Sequence, residues 1–171
     1  MTFRLRLAAL AAAATAALLP APALMAQPAP AAPAAAPSPP PAPYGEPINR
    51  ADARRALDAA LAFAERNGWP VAVAIVDPHG ELIAFARMDG ANWASGDVAQ
   101  QKARTAARFR RDTKAFADNL AGAMSFEDVA MVEGGVVIEV GGRIIGAVGV
   151  SGVTSAQDAE VGRAGIAALG R

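Results

Sequence analysis

Residues 71–87 contain two β-prone runs on either side of Asp-Pro-His-Gly at positions 77–80. Proline presets the backbone for a tight turn and glycine tolerates a positive φ, so the segment predicts a β-hairpin. A second hairpin is predicted over residues 136–150, where two apolar runs flank Gly141 and Gly142. Helical patterns precede, separate and follow the hairpins. This alternation predicts one compact α/β unit.

The N-terminus has the pattern of a secretion signal. Arg4 and Arg6 precede an apolar run, residues 7–19, that is too short to span a membrane. Small residues at 23–26 then offer a cleavage point before Gln27. We predict a cleavable signal peptide over residues 1–26, no stable membrane anchor, and export to the periplasm or beyond. The alternatives are an uncleaved anchor and a buried helix.

Residues 27–47 are predicted to form a linker, because alanine and proline make up almost all of positions 27–43. Such a stretch lacks large apolar side chains and favours extended conformations. A proline-rich recognition ligand is the alternative, but no basic anchor accompanies the prolines. The remaining residues, 48–171, have the length of one domain.

Composition excludes several classes of function. Without Arg4 and Arg6, 14 of the 16 basic residues remain against 16 acidic ones, and this net charge of −2 argues against nucleic-acid binding. The chain has no cysteine, which excludes disulfides and thiolate ligands. Its single histidine, His79, excludes a metal site with two histidines from one subunit, and no separate metal site is predicted. His79 is either an ordinary turn residue or a cofactor ligand.

A helix is predicted over residues 95–110, and on it Lys102 and Thr105 share a face with Val98 and Phe109. Two polar side chains are unusual on such a face. Either Lys102 extends along the apolar surface to solvent and Thr105 bonds to a carbonyl of its own helix, or both point into a shallow pocket or a subunit interface.

Arginines form a separate stripe on the same helix. Arg104, Arg108 and Arg111 lie at positions i, i+4 and i+7. Such a stripe is either a solvated face or a clamp for the carboxylates of a ligand.

The last helix is predicted to begin near Thr154, with Gln157 at the spacing of a capping box. Asp158 lies in its first turn on the packed side. It is either a structural carboxylate held by the backbone N–H groups of residues 149–151, or a catalytic acid or base.

Several segments together resemble a known family. They are the two hairpins, residues 102–106 of the middle helix with the trailing residues 109–113, residues 146–152, and the Gln-Asp pair at 157–158. The chain resembles the GlcG/HbpS-like heme-binding family, which also includes the C-terminal domain of PduO-type cobalamin adenosyltransferases, over nearly all of residues 48–169. The matching positions are Asp77, Gly80, Arg87, Asp89, Gly90, Lys102, Ala103, Thr105, Ala106, Thr113, Gly135, Gly146, Gly149, Val150, Ser151, Gly152 and Asp158.

The resemblance implies a profilin-like three-layer α/β/α fold with an antiparallel sheet built from two hairpins. It also implies a homo-oligomer and, in exported members, heme binding or heme degradation outside the cytoplasm. One segment departs from the family pattern. Residues 134–138 read Gly-Gly-Val-Val-Ile, without the proline that the family commonly has there.

The first functional hypothesis is therefore an exported heme-binding protein for capture, sensing or degradation. The Arg104, Arg108 and Arg111 stripe would meet the propionates. An apolar wall including Phe109, Met88 and Trp93 would cover the macrocycle. The candidate axial ligands of the iron are Thr105, Thr113 and His79.

The second hypothesis is an enzyme acting on a small organic acid or on heme. Lys102, with a pKa lowered by its apolar surroundings, would be the base, and Asp158 or Glu133 its partner. The third hypothesis is a non-catalytic accessory protein that acts only by assembly.

Overall fold

Two hairpins form a four-stranded antiparallel sheet in this computed structural model, which describes residues 40–119 and 127–170. The strands are β1 (Ala72–Val76), β2 (Leu82–Arg87), β3 (Gly135–Val140) and β4 (Arg143–Ser151). Their order is β2-β1-β4-β3, so the hairpins join where β1 pairs with β4. This architecture confirms the predicted fold class. The predicted signal peptide lies outside the described residues.

Helices cover both faces of the sheet. They are α1 (Arg50–Arg66), α2 (Ser95–Phe109), the short α3 (Lys114–Ala117) and α4 (Ser155–Ala167). Apolar residues of α1 and α4 form one core with Val73 and Ile75 of β1, while α2 forms a second core on the opposite face. Within the described ranges, no helix has the length and apolar character needed to cross a membrane.

Side chains of the second core are small, and they bring α2 close to the sheet. Ala99 and Ala103 of α2 pack with Ala74 and Ala147, and all four are fully buried. A methyl group at Gly149 of β4 would overlap the backbone of Ala99 and Ala103. This close approach lets a long side chain on α2 reach the carbonyl of Val150 near the end of β4.

The N-terminal segment ahead of α1 packs on the sheet and on α2. The Ile144 N–H donates to the Pro43 carbonyl at 2.9 Å, and the Gly45 N–H donates to the Ile144 carbonyl at 2.9 Å. The Ile48 N–H likewise donates to the Ile145 carbonyl at 2.8 Å. Pro43 and Gly45, which belong to the predicted linker 27–47, are therefore hydrogen-bonded to the domain that was predicted to start at Ile48.

Candidate ligand-binding site

Lys102 and Asp158 form a buried ion pair. Lys102 Nζ lies 2.7 Å from Asp158 Oδ2 and donates to the Val150 carbonyl at 2.9 Å, and its side chain is only 3% exposed. Asp158 Oδ1 accepts from the Val153 N–H at 3.2 Å. Burial raises the pKa of Asp158, and the neighbouring Lys102 ammonium opposes that shift. Lys102 therefore does not extend along the apolar surface to solvent. Asp158 accepts from the Val153 N–H, which lies beyond the predicted donors at residues 149–151.

Gly134 covers this ion pair. A methyl group at Gly134 would lie 2.7 Å from Lys102 Nζ and 2.9 Å from Asp158 Cβ, and the residue adopts a φ of +125°. Gly134 is itself buried, and its carbonyl accepts from the Val150 N–H at 2.9 Å. The pair is thus enclosed by the chain, and neither Lys102 nor Asp158 lines either of the two cavities described below.

Both candidate threonines are buried and bonded to the main chain. Thr105 Oγ1 accepts from the Ala130 N–H at 2.9 Å, and Thr113 Oγ1 accepts from the Gly135 N–H at 2.9 Å. Across the described ranges, no buried side-chain nitrogen or oxygen lacks a hydrogen-bond partner. In this conformation neither hydroxyl faces an open surface where it could meet iron.

Glu133 pairs with Arg163 of α4, with 3.4 Å between Glu133 Oε1 and Arg163 Nη2. Nearby, Asp112 Oδ1 accepts from the Val137 N–H at 3.0 Å, at the free edge of β3. Burial raises the pKa of Asp112, while the Val137 N–H and Arg163 oppose the shift. Asp112 and Thr113 together bond to the outer edge of β3, which is a structural role.

His79 lies at the tip of the β1–β2 turn with its backbone fixed from two sides. Asp77 Oδ1 accepts from the His79 N–H at 2.8 Å and from the Glu81 N–H at 2.9 Å. Arg108 Nε donates to the His79 carbonyl at 2.9 Å. A methyl group at Gly80, where φ is +89°, would lie 2.8 Å from Arg108 Nε. The imidazole is exposed and makes no hydrogen bond to the described residues.

Tyr44 approaches the same turn from the N-terminal segment. Its hydroxyl donates to the Arg108 carbonyl at 2.9 Å and to the Ala107 carbonyl at 3.3 Å, at the C-terminal end of α2. The Arg110 guanidinium carbon lies 5.2 Å from the centre of the Tyr44 ring. Sequence reasoning missed Tyr44 because it follows the alanine- and proline-rich run. It is the only tyrosine of the chain, and an aromatic residue in such a run is an available signal.

These residues enclose a cleft of about 320 Å³. We call it the Tyr44–His79 cleft, and its lining is Tyr44, Gly45, Pro47, Pro78, His79 and Arg108. Its walls are mostly apolar, and Arg108 is its only formally charged lining residue. The terminal nitrogens of Arg108 make no hydrogen bond to the described residues, so they can bind an anion.

A larger concavity of about 640 Å³ adjoins the cleft and shares Arg108 with it. Arg104 also lines it, but so do the carboxylates of Glu81, Asp97 and Asp128. Three acidic groups against two guanidinium groups make this concavity unfavourable for a dianionic ligand. Arg111 is exposed and lines neither cavity. The three arginines of the predicted stripe therefore lie in different surroundings. Of these three, only Arg108 lines the Tyr44–His79 cleft.

The predicted apolar wall is not assembled in one place. Phe109 packs edge-on against Phe116, with 5.1 Å between ring centres. Met88 packs against the core beneath α1 and α4, and Trp93 lies exposed beside the Arg87 guanidinium at 4.9 Å. In the described part of the chain, no group of three or more acidic, histidine or cysteine residues is arranged to hold a metal ion.

The fold and site together define a small α/β/α domain with an enclosed structural ion pair and an open, largely apolar cleft. The profile of the family described as "Haem degrading protein HbpS-like" matches residues 48–167, which is more than half of the chain. The chain belongs to this family. The resemblance drawn from the sequence motifs is therefore confirmed.

Known proteins agree with this placement. Protein GlcG of Escherichia coli K12 is 44% identical over 108 residues, which cover 61% of this chain and 81% of GlcG. The crystal structure of a Streptomyces reticuli HbpS double mutant has a TM-score of 0.70 and 32% identity, covering 81% of this chain and all of that one. The crystal structure of a PduOC:heme complex has a TM-score of 0.66 and 28% identity, covering 71% of this chain and 94% of that one.

Proposed function

We propose that this protein binds heme and captures it outside the cytoplasm. The description of the family to which the chain belongs names heme degradation, and a structural relative was solved as a complex with heme. Both relationships support heme as the ligand. A bound heme would supply the reactivity of its iron, while the protein would supply binding and orientation.

The observation that carries the proposal is the combination of apolar walls and one free guanidinium in the Tyr44–His79 cleft. Tyr44 and Pro47 offer apolar surface to a macrocycle, and the terminal nitrogens of Arg108 suit a propionate. The cleft volume of about 320 Å³ lies at the lower end of the range for ligand pockets. A heme seated there would remain partly exposed, which suits capture and transfer.

Hemin titration of three proteins tests this proposal. We expect Arg108→Gln to weaken hemin binding roughly tenfold, because a hydrogen bond to a charged group contributes about 1.5–3 kcal/mol. Arg55→Gln is the matched control, since Arg55 is an exposed helix arginine on α1 that pairs with Asp52 and lines neither of the cavities described above. Equal affinities for Arg108→Gln and Arg55→Gln would contradict the cleft as the binding site. Absence of hemin binding by the unaltered protein would contradict heme as the ligand.

Catalysis by Lys102 receives no support from its surroundings. A general base must reach the proton that it abstracts, whereas Lys102 is enclosed and already bonded to Asp158 and Val150. Glu133 contacts Arg163 and is not a partner of Lys102. We therefore retain ligand binding as the proposed activity and do not propose an acid–base mechanism.

Export and self-assembly are also part of the proposal. The signal pattern over residues 1–26 supports export, and cell fractionation of the full chain and of a chain lacking those residues tests it. Exposed Leu82 and Phe85 on the edge strand β2, with Trp93 nearby in sequence, support a homo-oligomer. Light scattering of the Phe85→Ser variant tests that contact, and an unchanged mass would contradict it.

A further inference from the structure

We propose that His79 is the axial ligand of the heme iron in this protein. This inference rests on the proposed heme binding and adds the ligand and its position. His79 lines the Tyr44–His79 cleft together with Arg108, so one cleft offers a ligand for iron and a partner for a propionate. Imidazole is the ligand most often used to hold heme iron from the proximal side.

The backbone around His79 is fixed while its side chain is free. Asp77 holds the His79 N–H, and Arg108 holds the His79 carbonyl. Pro78, the residue before it, is buried and restricts the turn further. The fixed backbone lowers the entropy that is lost when the exposed imidazole binds a ligand. This arrangement suits a ligating side chain better than an ordinary turn residue.

The competing side chains are already engaged. The hydroxyls of Thr105 and Thr113 are buried and accept main-chain hydrogen bonds. The Tyr44 hydroxyl donates to two carbonyls at the end of α2. The chain has no cysteine, so a thiolate ligand is excluded.

The sequence makes the test unusually specific. His79 is the only histidine in all 171 residues, so any histidine-ligation signal from an untagged protein must come from it. The experiment uses the mature chain without a histidine tag. Absorption and resonance Raman spectra of its hemin complex are compared with those of His79→Gly and of the neighbouring control Glu81→Gln.

We expect the unaltered protein and Glu81→Gln to give the spectrum of histidine-ligated heme. His79→Gly should lose that signature and bind hemin at least roughly tenfold more weakly, because even second-shell changes at metal sites cost 10–100-fold in affinity. Added imidazole should restore the signature in His79→Gly, which a purely structural role of His79 would not allow.

Two outcomes would overturn the inference, and they are distinguishable. If His79→Gly binds hemin with the spectrum of the unaltered protein, His79 is not the ligand and the proposed heme binding stands. If the unaltered protein binds no hemin, the proposed function fails and the inference fails with it.

Discussion

Lys102 of α2 and Asp158 of α4 pair across 56 residues of sequence, with 2.7 Å between Nζ and Oδ2. The two helices lie on opposite faces of the sheet, so the ion pair connects the two helical layers beside the end of β4. Both side chains are almost fully buried. A buried pair of this kind fixes the relative positions of its helices, and removing one partner leaves a charge without compensation.

We therefore expect Lys102→Met to lower the free energy of unfolding by about 3–5 kcal/mol, because Asp158 would remain buried without its cation. The double variant Lys102→Met/Asp158→Asn should regain much of that loss, since asparagine can still accept from the Val153 N–H. Urea unfolding of the single and double variants measures the difference. A double variant that is less stable than Lys102→Met would contradict this account.

A side chain at Gly134 should destabilise the fold. In Gly134→Ala the new methyl group would lie 2.7 Å from Lys102 Nζ, so the ion pair would have to move. Gly90 is the control, because its φ of +82° also lies outside the left-handed helical well, but the nearest atom to an added methyl group is Pro70 Cβ at 3.8 Å, an ordinary contact distance. We expect Gly134→Ala to be less stable than Gly90→Ala by about 1–3 kcal/mol in urea unfolding. Equal losses would mean that only backbone strain matters.

Thr113 is expected to act as a structural hydroxyl. Thr113→Val removes the acceptor of the Gly135 N–H, and an unsatisfied buried group costs about 1–3 kcal/mol. Hydrogen exchange at the Gly135 amide is the direct measurement, and it should become faster in Thr113→Val. Thr113→Ser keeps the hydroxyl, so its Gly135 amide should stay protected. Equal exchange in both variants would refute the role.

Asp112 should make stability depend on pH. Burial raises its pKa above the ordinary 3.8, so the folded protein binds this proton more tightly than the unfolded chain does. The contribution of Asp112 to the free energy of unfolding is therefore lost as pH rises above 3.8, through the range in which the carboxyl ionises in the folded protein. Asp112→Asn should be at least as stable as the unaltered protein at neutral pH, because the amide oxygen can still accept from the Val137 N–H.

The advantage of Asp112→Asn should shrink as pH falls toward 3.8, where the unaltered carboxyl becomes neutral. Urea unfolding across that interval measures the trend. Asp118→Asn, which removes an exposed carboxylate at the end of α3, is the control for a simple loss of charge. A stability advantage of Asp112→Asn that grows as pH falls would contradict the raised pKa of Asp112.

Local patterns were sufficient to predict most of the fold. The Asp-Pro-His-Gly turn, the Gly141–Gly142 turn and the Thr154–Gln157 capping box all form as predicted. Each depends on residues within a few positions of one another, whose backbone preferences and hydrogen bonds act over one turn. The family resemblance depended on the same kind of short segment.

The partners of the polar side chains depended on contacts between distant parts of the chain. Periodicity placed Lys102 and Thr105 on one face of α2, but it left open whether that face met a pocket, a subunit interface or the interior. Tyr44 was assigned to a linker because its contacts on α2 are 63 and 64 residues away. The division of the arginine stripe depends on carboxylates from other elements, including Glu81 and Asp128.

The sequence by itself thus determined the strands, helices, turns and family of this protein, because those features follow from local backbone preference and recurring motifs. Only the tertiary structure decided that Lys102 is enclosed with Asp158 and that His79 faces a cleft with Arg108. Burial and ion pairing depend on which surfaces meet after the sheet has formed. These contacts between surfaces are set by the packing of α2 and α4 on opposite faces of the sheet and by the approach of the N-terminal segment to the β1–β2 turn.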